Sequence, residues 1–462
     1  MSQETNSAPV TENKMGTMPI GRLVFNMSLP MMISMLVQAL YNIVDSIFVA
    51  KLSENALTAV SLAFPLQTLI IAVATGTGVG VNALLSKSLG AHKYDEANKI
   101  GINGAVLYAF SYVIFLILGL TIVKPFYMSQ IGNADVEIMD MGVSYLSTVM
   151  IFSFGIFAEI FFERVLTSTG RTIFSMTSQL CGAITNIILD PIMIFGLLGF
   201  PKLGATGAAV ATVVGQCVAA VVAFVCNHKF NHDIKLSFKG YSPDFKIMGT
   251  IYAIGIPSII MQSIGSVMTY SMNRILIGFS STAAAVFGVY FKLQSFFFMP
   301  VFGLNNGITP IIAFNYGAQN RKRMVKTIKV SLITAFCLLF VGFACFEFIP
   351  KVLLGMFSAS DDMLKIGVPA LRIIGVHFLI AWFCIIVGTV FQALGKAVFS
   401  MIVSIMRQLV VLIPAAYILS KLGGLHAVWW SFPIAEVISF TVSTLFLIRI
   451  NRTTVSYTHL TL

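Results

Sequence analysis

The sequence predicts an all-α polytopic membrane protein with twelve transmembrane helices, in two parallel six-helix lobes related by pseudo-twofold symmetry. The first observation is composition: the 462 residues are 57% hydrophobic and 10% charged, whereas soluble proteins carry about 25% charged residues. The second is a series of apolar segments long enough to cross a bilayer. The third is an internal repeat of Gly, Pro and polar residues between the two halves. Since so much apolar surface cannot be buried inside the protein, much of it is expected to face lipid.

The twelve predicted spans are defined by length and by scarcity of charge. A helix that crosses the bilayer needs roughly 20 apolar residues, and twelve segments meet this requirement. The longest polar stretch between them, Asn227 to Lys246, lies at the midpoint of the chain. The predicted spans are 22–50, 56–86, 100–124, 138–165, 171–197, 204–227, 248–279, 282–316, 327–350, 364–394, 396–420 and 425–449. The predicted organisation is a cytoplasmic N-terminal tail 1–21, an N-lobe 22–227, a cytoplasmic connector 228–247, a C-lobe 248–449 and a C-terminal segment 450–462.

The distribution of basic residues predicts the orientation of the spans. If the N-terminus is inside, most loop lysines and arginines also lie inside, as the positive-inside rule requires. The connector and the loop that carries Arg321, Lys322 and Arg323 are the most basic of these loops. Both termini are therefore expected in the cytoplasm, with the chain in the inner membrane of a bacterial cell.

The internal repeat is seen when the first half is shifted by 227 positions. Coincidence between two apolar segments gives scattered Leu and Val matches, whereas the matches here are ordered and include Gly, Pro, Gln and Lys. Each half contains an even number of spans, so both halves enter the membrane from the same side. Parallel repeats predict an axis along the membrane normal and a cleft between the lobes. The matches include Pro30 with Pro257, Gln67 with Gln294, Gly76 with Gly303, Gly80 with Gly307, Gly90 with Gly317 and, at a shift of 225, Gly170 with Gly395.

Two acids within predicted spans are candidate functional residues, because an ionisable side chain inside a membrane is costly. Asp45 is in the first span, on or near one helical face with Gln38, Tyr41 and Asn42. Asp190 is in the fifth span. The two acids predict either an oxygen cage for Na⁺ or a proton acceptor. The alternative is a buried polar network that only locks helices together.

The fifth span also carries an amide and a helix-breaking residue. Asn186 is one helical turn from Asp190, and Pro191 follows that acid directly. Pro191 releases the carbonyl of Ile187 from helical hydrogen bonding, which adds a possible oxygen ligand. Pro191 and Pro30 are the predicted hinges, at which the fifth and first spans bend.

The second half does not repeat this arrangement. Asp45 aligns with Met272 and Asn186 with Val411, so the cation chemistry is expected in the N-lobe alone. Arg372 and Arg407 are interpreted either as counter-ions of acids or as part of an anion-attracting cavity. Two further acids of the N-lobe, Glu159 and Glu163, are expected to pair with Arg164 near the end of the fourth span.

The sequence contains none of the usual signatures of an enzyme. It has no Walker A, HExxH or CxxC pattern, so neither ATP hydrolysis nor metal catalysis is predicted, and no cofactor, nucleic acid or enzymatic activity is expected. Gly76-x-Gly78-x-Gly80 lies within a span and is interpreted as a site of close helix packing. The last eight residues, Val455–Leu462, resemble a translated sequencing adapter. We therefore expect that a few residues of the natural C-terminus are missing from this sequence.

Four segments resemble the multidrug and toxic compound extrusion family, over nearly the whole chain. They are SLPMMISMLVQALYNIVDSIFVAKL, GTGVGVNALLSKSLGAHKYDEANK, NIILDPIMIFG and KLGATGAAVATVVGQ. The resemblance is strongest to branches that contain DNA-damage-inducible and staphylococcal-type drug exporters. It implies a cation site at Asp45, Asn186, Asp190 and Thr212. It also implies that Gln38 and Tyr41, with the neighbouring Asn42, line the adjacent substrate chamber.

The expected function is secondary antiport. The protein is expected to act as a monomer in the bilayer and to export small amphipathic, cationic compounds in exchange for Na⁺ or H⁺, which the sequence does not distinguish. The alternative is a lipid-linked oligosaccharide flippase of the same broad superfamily. Such a flippase would need a basic cavity for a diphosphate, for which Arg372 and Arg407 are the candidates.

Overall fold

The computed structural model describes residues 13–131, 136–237, 242–357 and 359–459, with side chains up to residue 450 except that of Glu54. In these ranges ten single helices are long and apolar enough to cross a membrane, and two more spans are each formed by a bent pair of helices. The prediction of twelve spans is therefore confirmed. The spans are α1 (Ile20–Leu52), α2 (Glu54–Gly90), α3 (Tyr94–Thr121), α4a (Val136–Ile151) with α4b (Phe154–Ser168), α5 (Thr172–Phe195), α6 (Ala205–Phe230), α7 (Phe245–Ile277), α8 (Ser281–Gly317), α9 (Arg321–Phe348), α10a (Asp361–Gly375) with α10b (Phe378–Ala393), α11 (Ala397–Leu422) and α12 (Ser431–His459).

The fourth and tenth spans differ from the continuous helices that were predicted. The two halves of the fourth span meet at 41° and those of the tenth at 49°. The breaks, near Ser153 and His377, occupy equivalent positions in the two repeats. Both spans are apolar on either side of the break, so composition alone gave no signal of it. α11 is also irregular, because Met406–Leu412 forms a π-helical stretch.

The repeat is reproduced in local backbone geometry. The Ser53 side chain caps α2 by accepting a hydrogen bond from the Ala56 amide at 3.0 Å, and Ser280, 227 residues later, caps α8 in the same way through Ala283. Gly170 and Gly395, which follow the fourth and tenth spans, have φ values of +84° and +75°. Glycine is favoured at both because a Cβ is disfavoured in the left-handed region. Equivalent residues thus fix the same turns in both lobes.

Helices α1 and α2 of the N-lobe pack against α7 and α8 of the C-lobe in a reciprocal manner. A Cβ at Gly76 in α2 would lie 2.9 Å from the backbone nitrogen of Ile259 in α7. A Cβ at Gly303, the equivalent residue in α8, would lie 2.6 Å from the backbone nitrogen of Met32 in α1. Small residues let helix backbones approach this closely, so the predicted packing role of the Gly76 segment is confirmed.

The lobes also approach closely on one side of the membrane, here called the terminal side because the two ends of the described chain, at residues 13 and 459, lie there. At this end of α2 and α8, a Cβ at Gly90 would be 2.7 Å from the Phe314 carbonyl carbon. A Cβ at Gly317 would be 2.8 Å from the Lys87 carbonyl carbon. These two glycines are related by the 227-residue repeat. The lobes are therefore in backbone contact on the terminal side.

Part of the predicted N-terminal tail 1–21 is packed between the lobes. The short helix Lys14–Thr17 buries Met15 completely. The Asn13 side chain donates to the Thr169 carbonyl of the N-lobe at 3.1 Å, whereas Arg323 of the C-lobe donates to the Met15 carbonyl at 3.1 Å. Burial, with a smaller contribution from the nearby charge of Arg171, lowers the pKa of Lys14. This segment therefore bridges the two lobes on the terminal side. At the other end of the chain, α12 continues to His459.

Candidate functional site

The candidate cation residues meet where α1, α5 and α6 pack together in the N-lobe. Asp190 is fully buried and Asn186 is 3% exposed. The Asn186 side-chain amide lies 3.5 Å from the Asp190 carboxylate and donates to the Thr212 hydroxyl of α6 at 3.3 Å. Asp45 lies in α1, the helix that packs against α5. The structure thus brings Asn186, Asp190 and Thr212 together and places Asp45 on the helix that packs against them.

Three oxygen atoms in this group are buried without a hydrogen-bond donor among the described residues. They are one carboxylate oxygen each of Asp45 and Asp190 and the side-chain oxygen of Asn186. Buried polar atoms are normally paired, so an unpaired set calls for an explanation. Oxygens of this kind are the ligands that a hard cation prefers, and a carboxylate can alternatively take up a proton. The arrangement therefore fits a Na⁺ or H⁺ site.

Beside these residues lies a cavity of about 120 Å³. The predicted chamber residues Gln38 and Tyr41 line it, together with Asn186 and Thr212. Asn42 does not: it is exposed and absent from the lining. Successive residues of a helix differ by about 100° in direction, so Tyr41 and Asn42 cannot both face the cavity centre.

The expected pairing of Glu159 and Glu163 with Arg164 is wrong for the described residues. Glu159 and Glu163 instead line the cavity. Glu163 is 5% exposed and accepts hydrogen bonds from Gln179 at 2.8 Å and Ser178 at 3.3 Å. Arg164 lines the cavity too, but its guanidinium donates to Asn306 of the C-lobe at 3.1 Å.

The sequence carries a signal for these glutamates in their spacing. Two acids four residues apart lie on one helical face, and that face turns toward α5. The predicted single span placed them near a helix end, whereas the break at Ser153 makes them part of the separate helix α4b. The cavity consequently carries more acidic groups than the sequence predicted.

The C-lobe contains no equivalent of this cation group at the aligned positions. Met272, aligned with Asp45, is fully buried. Arg407 forms an ion pair with the buried Glu436 at 3.6 Å, and Arg372 lies 3.9 Å from Glu347. The counter-ion interpretation therefore holds for Arg407, whereas Arg372 donates to the main-chain carbonyl of Glu347 at 3.1 Å. Neither arginine lines the cavity beside the cation group.

A sequence model of the MatE family matches this chain twice, over residues 30–192 and 257–418. The chain is 28% identical to the multidrug export protein MepA of Staphylococcus haemolyticus, over 91% of each protein. It is also similar to a solved structure of a multidrug resistance MATE family transporter of the MOP superfamily in the outward-facing conformation. That match has a TM-score of 0.89 and 26% identity and covers 96% of this chain and 98% of the other. A second solved structure, a MATE in the bent conformation, matches with a TM-score of 0.86 and 25% identity over 94% and 97% of the chains.

Proposed function

Because the chain belongs to the multidrug and toxic compound extrusion (MATE) family and is a multi-pass membrane transporter, not an enzyme, we propose that it exports amphipathic organic cations in exchange for Na⁺ or H⁺. The drug-export part of this proposal is supported by the similarity to MepA, a multidrug export protein. The coupling part is supported by the buried oxygens of the N-lobe.

The unpaired oxygens of Asp45, Asp190 and Asn186 are the observation that carries the proposal. Two carboxylates in one buried group repel each other unless a cation or a proton reduces the charge. Binding of Na⁺ or H⁺ between them is therefore favourable, and release exposes the repulsion again. The Thr212 hydroxyl accepts a hydrogen bond from the Asn186 amide at 3.3 Å and so helps to position Asn186 in this group.

The cavity next to this group is the proposed chamber for the organic cation. Glu159 and Glu163 provide acidic groups, and Tyr41 provides an aromatic ring. Carboxylates and aromatic faces both attract organic cations. Since the chamber and the cation group share Asn186 and Thr212, occupancy of one site changes the environment of the other. Such coupling is reciprocal in binding free energy.

We place the terminal side in the cytoplasm of a bacterial cell, as the distribution of basic residues predicts. The lobes are in backbone contact on that side through Gly90 and Gly317. The proposed state is thus one that is closed to the cytoplasm. The overall similarity to the outward-facing relative supports this assignment.

The flippase alternative is not favoured. It requires a basic cavity, but Arg372 and Arg407 both lie beside acids, Glu347 and Glu436. The chamber next to the cation group instead contains two glutamates, Glu159 and Glu163, and one arginine, Arg164.

Uptake of a fluorescent organic cation into everted membrane vesicles tests the proposal, because the cytoplasmic face of these vesicles is on the outside. A pH gradient and a Na⁺ gradient are imposed in separate experiments, and vesicles without the protein serve as the control. Transport driven by one gradient identifies the coupling ion. If neither gradient drives transport of any cationic dye by protein that is present at normal levels, the antiport proposal is wrong.

A further inference from the structure

An aromatic groove opens on the lipid-facing side of the N-lobe, away from the cavity between α1 and α5. It has a volume of about 530 Å³ and lies between α3 and α6, with α4b as its floor. Its lining is almost entirely aromatic residues and alanines, among them Tyr108, Phe157 and Phe161. Phe154 and Phe224 at its edges are 44% and 53% exposed. The groove is therefore accessible from the hydrocarbon region of the bilayer.

A basic pocket of about 380 Å³ continues the groove at its terminal-side end. The two spaces share Phe162, Phe224 and Leu236 as lining residues. The pocket also contains His228, His232, Lys235, Asn227 and Asn231. A single elongated ligand can therefore occupy the apolar groove and the polar pocket together.

The charge of this pocket favours an anion. Asp233, between His232 and Lys235, forms an ion pair with Arg171, so its negative charge is largely neutralised. Lys235 has no ion pair of its own among the described residues and is exposed. Asn231 is 6% exposed and has a side-chain oxygen without a donor in the part of the chain that the structure describes. The pocket thus offers positive charge and one free acceptor to a hydroxylated anionic group.

The walls of the pocket are held in place by hydrogen bonds. The Asn227 amide donates to the Phe162 carbonyl of α4b at 2.9 Å. The backbone nitrogen of Lys235 donates to Asn98 at 2.8 Å. Leu236 packs over Gly101 of α3, where a Cβ would lie 2.8 Å from the leucine side chain. The site is therefore built from a fixed part of the connector between the lobes.

The dimensions fit one leaflet of a membrane. From Phe162 to Phe154, α4b rises about 12 Å, which is close to half of the roughly 30 Å hydrocarbon thickness. The basic pocket begins where α6 ends, at Phe230. An acyl chain in the groove would thus place its head group at the membrane surface.

We propose that the groove and the basic pocket together bind one anionic phospholipid from the leaflet on the terminal side. An acyl chain lies along the aromatic groove, the phosphate lies near Lys235 and His232, and a head-group hydroxyl donates to Asn231. Because the pocket includes Lys235 and Leu236 of the connector, a bound lipid braces the connector against the N-lobe.

Native mass spectrometry of the purified, delipidated full-length protein tests this proposal. Phosphatidylglycerol, phosphatidylethanolamine and glycerol phosphate are titrated separately. We expect one tightly retained phosphatidylglycerol, weaker retention of phosphatidylethanolamine and no retention of glycerol phosphate. Lys235→Ala should weaken phosphatidylglycerol binding about fivefold, as loss of one charge near a membrane surface predicts.

Variants of the groove separate the apolar contribution from that of charge. Ala109→Trp fills the exposed side of the groove and should abolish retention of the lipid. The matched controls are Ile117→Trp, at a lipid-facing position of α3 outside the groove, and Lys322→Ala, at an exposed lysine of the C-lobe on the same side. Both controls should bind lipid normally.

Three results would overturn the proposal. The first is normal lipid retention by Ala109→Trp and Lys235→Ala. The second is equal binding of glycerol phosphate and phosphatidylglycerol, which would identify a phosphate site without a lipid chain. The third is loss of binding of a fluorescent organic cation, with unchanged lipid binding, in Ala109→Trp, which would identify a second drug site.

Discussion

At the scale of single residues, the buried acids of the N-lobe have no ion pair among the described residues, whereas the buried Glu436 of the C-lobe pairs with Arg407. Asp190 is fully buried, and one of its oxygens has no donor among the described residues. The residue aligned with its partner Asp45 is an apolar one, Met272. An unpaired buried carboxylate is costly in a membrane unless a cation or proton occupies it. Two predictions concern this group.

Asp45→Asn and Asp190→Asn should each reduce gradient-driven efflux by about tenfold or more, since losing a charged partner costs roughly 1.5–3 kcal/mol. Insertion into the membrane should be normal, because the neutral amide is easier to bury than the carboxylate. Uptake of the organic cation into everted vesicles is measured at matched protein levels. Asp140→Asn, which changes an exposed acid of the same lobe, is the control and should transport normally. Wild-type efflux in both buried variants would exclude the cation assignment.

Thr212→Val should moderately weaken binding of the coupling ion. The substitution removes the hydroxyl that accepts a hydrogen bond from the Asn186 amide. Loss of one such hydrogen bond costs about 1 kcal/mol, or about fivefold in affinity. The measurement is the ion concentration at half-maximal efflux. Thr185→Val is the control, since among the described residues the Thr185 hydroxyl donates only to the Cys181 carbonyl of its own helix. An unchanged ion dependence in Thr212→Val would remove this residue from the proposed site.

At the scale of helices, proline positions and breaks determine which segments can bend. Pro30 and Pro191 lie inside α1 and α5. In both helices the proline leaves one carbonyl without its usual partner. A related MATE has been solved in a bent conformation. A bend in α5 next to Asp190 would link the ion to the shape of the N-lobe.

Pro191→Ala should restore a regular hydrogen bond in α5 and slow turnover, while equilibrium binding of the organic cation persists. Drug binding and vesicle transport are measured on the same preparation. Pro201→Ala, in the exposed loop after α5, should behave as wild type. If transport by Pro191→Ala and its ion dependence both match the wild type, α5 does not act as a hinge.

Deletion of the segment from Val455 onward should leave transport unchanged. The prediction rests on the sudden change in composition after Arg452 and on the similarity of VSYTHLTL to an adapter sequence. The backbone of α12 nevertheless continues as helix to His459, and the side chains of this segment lie outside the described residues. Efflux and thermal stability of the truncated chain are the measurements. A clear loss of either would show that the segment belongs to the functional protein.

At the scale of the whole molecule, the two lobes are related by the repeat and meet through residues that the repeat also relates. Gly90 and Gly317 each approach the backbone of the opposite lobe on the terminal side. The Arg323 side chain adds hydrogen bonds to the carbonyls of Met15 and Met18 at 3.1 and 2.7 Å. Alternating access requires these contacts to open and close again. Their strength therefore sets the balance between the two states.

Gly90→Ala and Gly317→Ala should each shift the protein toward the state that is open on the terminal side. The added methyl groups would overlap backbone atoms, and overpacking of this kind costs roughly 1–3 kcal/mol. Electron spin resonance distances between labels at Lys229 and Lys329, in a cysteine-free background, should lengthen. Gly288→Ala is the control, because nothing lies within 4 Å of its Cβ position. If Gly90→Ala and Gly317→Ala give the same distance distributions as the Gly288→Ala control, these glycine contacts do not hold the lobes together.

The sequence by itself determined the fold class, the twelve spans and the repeat. These properties follow from length, apolarity and the order of unusual residues, which are local. Asp45 and Asp190 were identifiable for the same reason, since a carboxylate within an apolar span is conspicuous without knowledge of its neighbours. The tertiary structure then placed Thr212 against Asn186, as the family resemblance implied.

Only the tertiary structure decided how side chains on different helices pair. Glu163 bonds to Gln179 and Ser178 rather than to Arg164, which bonds to Asn306. That choice depends on the break in the fourth span and on the rotation of α4b against α5. The pairing of Arg407 with Glu436 across α11 and α12 likewise required the packing of two helices. Helical periodicity fixes which residues share a face, but the direction of that face is set by the other helices that must be packed at the same time.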